Sequence, residues 1–137
     1  MKRTGKDYDN ISDILEYGNI TDNEAIAICN EIIDESITES ENQILEAMYH
    51  AIFTGVVNRK ITDQLHIDII IKSLDKFNED VLDYIITILA FTGNREYEGI
   101  IRQIGKHYGN LDIEGALNEL ENIAVGNFHR INKLSNE

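Results

Sequence analysis

The chain has 137 residues, which suits one domain, and its 25 Asp and Glu against 12 Lys and Arg give a net charge of −13. Hydrophobic residues make up 42%, enough for a core despite that charge, and the absence of proline favours helices over a loop-rich sandwich. The single cysteine, Cys29, excludes an intramolecular disulfide, and no apolar run reaches the ~18 residues of a membrane span or follows the basic start as a signal peptide would, so a cytoplasmic setting is expected.

Taken in chain order, the elements read as helices. A short first helix over about residues 9–17 carries Ile11, Ile14 and Leu15 and ends near Gly18. Thr21-Asp22-Asn23-Glu24 has the form of a capping box, in which Thr21 caps and Glu24 reaches back. Ala25, Ile28, Cys29, Ile32 and Ile33 follow it at helical spacing. Thr38-Glu39-Ser40-Glu41 repeats the box ahead of Ile44, Leu45, Met48, Tyr49 and Ile52, and Gly55 is expected to end that helix. Thr62 and Asp63 open the next, with Leu65, Ile67, Ile70, Ile71 and Leu74 inward. Asn78 caps a helix holding Val81, Leu82, Ile85, Ile86 and Leu89, closed by Gly93. Asn94 precedes Tyr97, Ile100, Ile101 and Ile104, and Gly109-Asn110 breaks the chain before Ile113, Leu117 and Leu120. The isoleucines favour strands by propensity, but no segment alternates with period two between hairpin turns.

The helices pair into repeats. Ile44-Leu45-Glu46-Ala47-Met48, Val81-Leu82-Asp83-Tyr84-Ile85 and Ala116-Leu117-Asn118-Glu119-Leu120 share one pattern and start 37 and then 35 residues apart. That period points to helical hairpins whose open faces are covered by stacking. The expected fold is all-α: about seven helices in a short HEAT-like α-solenoid. It comprises one domain, 1–137, with the first helix at 9–17, hairpins at 21–55, 62–92 and 95–124, and a polar tail at 125–137. An irregular helical bundle is the competing architecture.

The sequence offers little catalytic chemistry. His50, His66, His107 and His129 include no pair four residues apart, so no helix presents a two-His metal face. Glu46 and His50 are spaced i, i+4 rather than the i, i+3 of di-iron sites. The segment from Asp34 has alternating oxygen ligands but lacks the glycine and final Glu of a calcium loop. Cys29 lies on an apolar stripe with no identifiable base. No catalytic, cofactor-binding or metal residues are assigned, and an enzyme is not expected.

Position sharpens the charge. Residues 7–58 hold 12 acids and no Lys or Arg. Such a field disfavours nucleic acid and anionic membranes and attracts cations or a basic protein. In a stack, Glu46, Asp83 and Asn118 form one row; Ala47, Tyr84 and Glu119 form another; Asn42, Glu79 and Glu114 lie a turn earlier. The expected partner interface is Asp34, Glu35, Glu39 and Glu41 at the first hairpin's loop, with Glu46, Glu79, Asp83 and Tyr84 on the rows. The alternative to an interface there is a solvated surface for the acids and, for Tyr84, packing against the adjoining helix.

The stretch Val81-Leu82-Asp83-Tyr84-Ile85-Ile86-Thr87-Ile88-Leu89-Ala90-Phe91-Thr92-Gly93, set in a small, acidic, isoleucine-rich helical chain, resembles immunity proteins of bacterial polymorphic-toxin and contact-dependent inhibition systems, including the all-α, HEAT-like type. The likeness covers roughly residues 20–124 and rests on segment order rather than a diagnostic motif. It implies a cytoplasmic toxin inhibitor that binds a cognate toxin domain, frequently a basic nuclease; a monomer or weak homodimer without a cofactor is expected. A helical-repeat adaptor or complex subunit without a toxin partner is the alternative.

Overall fold

The structure, a computed structural model, describes residues 3–126. Within them the chain forms seven α-helices: α1 (Gly5–Tyr17), α2 (Asp22–Ser36), α3 (Asn42–Asn58), α4 (Ile67–Lys72), α5 (Glu79–Phe91), α6 (Glu98–His107) and α7 (Ile113–Ala124). Three 3₁₀ turns, Thr62–Gln64, Leu74–Lys76 and Arg95–Tyr97, join them, and no strand occurs among the described residues. The expected polar tail lies outside these residues from Asn127 onward.

The odd-numbered helices form one layer in chain order: α1 packs on α3, α3 on α5, and α5 on α7. The even-numbered helices back them, α2 against α3 and α6 against α7, with α2 also touching α4. Two packed hairpins, α2–α3 and α6–α7, thus follow one leading helix, with α4 and α5 between them and α4 seated on α2. The core runs continuously through the stack, from Tyr8 and Leu15 through Cys29, Ile32, Tyr49 and Ile52 to Ile85, Leu89 and Ile101.

Several boundaries follow from local chemistry. The Thr21–Glu24 box is formed in both directions, at 3.1 and 2.9 Å. Asn78 Oδ1 accepts from the Val81 amide, and Gly93 closes α5 at φ +65°, a conformation in which a side chain would be strained. Asp112, not foreseen as a cap, accepts from the Gly115 amide to open α7.

Other expectations are corrected. α1 begins earlier, because Thr4 and Asp7 form a capping box of their own. Its buried stripe is therefore Tyr8, Ser12 and Leu15 at i, i+4, i+7, while Ile14 is 43% exposed. No box forms at Thr38–Glu41: the Thr38 hydroxyl turns back to the Glu35 carbonyl, and Glu41 caps α3 without a side-chain bond. Gly55 does not end α3, which runs on to Asn58. A Cβ at Gly55 would lie 3.1 Å from Cys29 Sγ, so the glycine lets α3 approach α2 closely. The helix expected from Thr62 onward is split into a 3₁₀ turn and the six-residue α4. Asn30 bridges that break, accepting from the His66 amide at 2.8 Å and donating to the Gln64 carbonyl at 2.9 Å.

Two long-range caps tie the layers together. The last turns of α1 and α2 contain no basic residue. Arg59 supplies the charge for α1, donating to the carbonyls of Leu15, Gly18 and Ile20 at 2.9–3.1 Å. Lys76 Nζ does so for α2, donating to Ser36 and Ile37 carbonyls at 2.6 and 2.8 Å. Cations at helix C-termini also oppose the helix dipole.

Candidate functional site

The outer side of the odd layer carries an aromatic cluster made by α3 and α5. Tyr84 of α5 packs its ring 5.4 Å from His50 and 5.3 Å from Phe53, both on α3. His50 and Phe53 stack at 6.2 Å. All three side chains are half-buried. Below them, Ser12 of α1 donates to Thr54 Oγ1 at 2.8 Å and lies 3.4 Å from His50 Nδ1, so the histidine is held against α1 as well.

Carboxylates surround this cluster. Burial raises the Tyr84 hydroxyl pKa first, and the charges of Glu46, Asp83 and Asp80 raise it further. Among the described residues none of Glu46, Glu79, Asp80 and Asp83 forms an ion pair. Glu79 and Asp80 occupy the first turn of α5, where the helix dipole favours acids. Glu46 and Asp83 do not have that explanation. Each lies a full turn inside its helix, beyond the range where the dipole acts appreciably. The charge at these two positions is unsupported by the fold.

The other expected patch differs in kind. Asp34 pairs with His66 Nδ1 at 3.0 Å. Glu35 accepts from Arg3 at 3.1 Å and from the Tyr8 hydroxyl at 3.2 Å, and Glu31 takes Arg3's other arm at 2.7 Å. Glu39, expected at the interface, is 5% exposed. Its carboxylate accepts from the Ser40 and Glu41 amides at 3.1 and 3.0 Å, satisfying donors ahead of α3, and cannot serve as an accessible contact. Glu41 is exposed beside it. The structure therefore brings Glu46 and Asp83 into the field of Tyr84, puts Glu79 in the first turn of the same helix as Tyr84, and engages Asp34 and Glu35 elsewhere, at His66 and at Arg3 and Tyr8.

His50, Phe53 and Asp80 belong to the face, although the sequence reading assigns none of them to an interface. The signal was present: His50 and Phe53 follow Glu46 at i+4 and i+7, one side of a helix. On α7 the rows continue with exposed Glu114 and Asn118 and half-buried Glu119.

A groove of about 690 Å³ lies along α6, lined by Leu74 and by Leu82 of α5 together with Ile100, Gln103, Ile104 and His107 of α6. Cys29 is fully buried, and burial pushes its thiol up to about 12, so the inert core role expected for it fits. Among the described residues, no three His, Cys, Asp or Glu side chains group closely enough to hold a metal ion. No described helix is long and apolar enough to cross a membrane.

Comparison with protein-family profiles, with curated proteins and with solved structures found no match.

Proposed function

We propose that this protein is a binding protein rather than a catalyst, and that its α3–α5 face docks a basic protein. The reading rests on Glu46 and Asp83: two carboxylates outside the first helical turn, without ion pairs among the described residues, set around a half-exposed aromatic cluster. Unneutralised like charges oppose folding, and a basic partner removes that opposition on binding. Electrostatic complementarity speeds encounter, while an aromatic anchor slows release.

The sequence resemblance supplies the partner class. A toxin domain with a Lys/Arg-lined active site, such as a nuclease groove, presents the required charge. The protein would capture it in the cytoplasm and block it. Immunity genes usually follow the gene of their toxin, so the domain encoded immediately upstream is the partner to test. With that domain, Glu46→Lys/Asp83→Lys is expected to lower the stopped-flow association rate at least tenfold at low salt and to flatten its salt dependence. Unchanged kinetics would remove the face from the interface.

The groove along α6 favours a second reading, a helical-repeat adaptor that engages an apolar segment of another protein. That reading predicts association insensitive to salt and to both charge reversals.

A further inference from the structure

The chemistry of the α3–α5 face distinguishes between the two basic side chains a partner can present. Tyr84 is half-buried, wedged on one side by His50 and Phe53, and its ring is fixed by contacts to both. A ring held in place offers an aromatic surface at little further loss of conformational freedom. Carboxylates stand around it on two helices, Glu46 on α3 and Asp80 and Asp83 on α5. A cation seated on the Tyr84 ring would thus lie in the field of carboxylates from two helices rather than one.

We infer that this face is built to seat an arginine side chain of the partner, its guanidinium lying on Tyr84 and its N–H groups donating outward to Glu46 and Asp83. The inference rests on the reading of the face as a site for a basic protein and names the group that reads it. The guanidinium satisfies both halves of the site together. It is planar, so one face lies on an aromatic ring while its edge donors remain free for carboxylates in its plane. It is also weakly hydrated, so it loses less than an ammonium when taken from water against a half-buried ring. A lysine ammonium meets the negative field equally well but is a hydrated point charge, and it cannot stack and donate in two lateral directions at once.

Charge alone would not separate the two. The test therefore compares hexa-arginine with hexa-lysine, peptides of equal charge, by calorimetry and by proton NMR against the full chain. Hexa-arginine is expected to bind roughly five- to tenfold more tightly, within the range cation–π and stacking contacts supply. Its arginine δ-methylene resonances are expected to move upfield, the mark of seating over a ring. Tyr84→Leu keeps an apolar side chain against His50 and Phe53 and is expected to erase both the preference and the upfield shift. It leaves weak, salt-sensitive binding of both peptides. Glu46→Gln, an exchange with no ion pair to break, is expected to weaken both peptides while retaining the upfield shift, and serves if Tyr84→Leu fails to fold.

Equal affinities in the parent protein, or an arginine preference that survives Tyr84→Leu, would overturn the inference while leaving an acidic docking face intact. If neither peptide binds at low salt, the docking face itself is refuted, and the inference with it.

Discussion

Two acidic regions of this molecule look alike in sequence and behave differently in the fold. On the α2 side, Glu31 and Glu35 hold Arg3, Asp34 holds His66, and Glu39 is consumed by backbone amides before α3. On the α3–α5 side, Glu46 and Asp83 stand without ion pairs among the described residues. The bases that answer the α2 acids come from elsewhere in the chain, before residue 7 or after residue 58. A base-free stretch of sequence is therefore not a stretch of unanswered charge. Pairing is a tertiary property, and the acids with no structural use are the better guide to a partner.

The contrast can be broken from the α2 side first. Three groups there ionise only at high pH: Tyr8 and Tyr49 are pushed from 10.0 to about 12, and Cys29 from 9.0 to about 12, each chiefly by burial. The unfolded chain loses these protons earlier than the folded one, so their contribution is intact below pH ~9 and is lost as the pH rises through the folded values. Urea denaturation followed by circular dichroism is expected to show a falling midpoint from about pH 9 toward pH 12. Tyr49→Phe is expected to reduce the steepness of that fall.

Arg59→Met removes the long-range cap of α1 from a side chain that is 14% exposed. Three backbone carbonyls lose a charged donor, and the expected loss is about 2–3 kcal/mol of unfolding free energy. Glu39→Ala is expected to cost about 1–2 kcal/mol, as loss of a helix-start acceptor does, with no change in the rate of partner association. That outcome separates a structural acid from an interface acid; a slowed association at unchanged stability would reverse the assignment. Asp34→Asn/Glu35→Gln breaks exposed pairs and is expected to cost no more than about 1 kcal/mol by the same urea titration. Smallest of all, Glu46→Gln/Asp83→Asn is expected to leave stability unchanged or to raise it by a few tenths of a kcal/mol, since only repulsion is removed. A clear destabilisation there would mean these acids serve the fold after all.

Much of the architecture is legible in the sequence, for identifiable reasons. The Thr21–Glu24 box, the Asn78 cap and the Gly93 terminator are local devices, and each works as its spacing dictates. The 37- and 35-residue spacing of the Glu46, Asp83 and Asn118 segments places them on successive helices of one layer. What escapes is decided at a distance. Gly55 resembles a helix terminator, but its use is to admit Cys29 Sγ from another helix. The break at His66 depends on Asn30, 36 residues earlier. Glu39 reads as surface charge because acids usually are, and only the turn between α2 and α3 folds its carboxylate onto two amides. For the site, Glu46, Asp83 and Tyr84 can be aligned by repeat register alone. The participation of His50 and Phe53 requires the crossing of α3 and α5.

The caps supplied by Arg59 and Lys76 bear on how the protein is made. Each helix is synthesised before the cation that caps it, because Arg59 lies downstream of α1 and Lys76 downstream of α2. Until those residues emerge the last carbonyls of both helices lack these donors, and the cap of α2 forms only once residue 76 is outside the ribosome. Domains generally fold as units during synthesis, and here the first hairpin is expected to settle only together with α4 and α5. A nascent chain with only residues up to 60 outside the ribosome is expected to be readily cleaved by protease, whereas one with all of α5 outside is expected to resist.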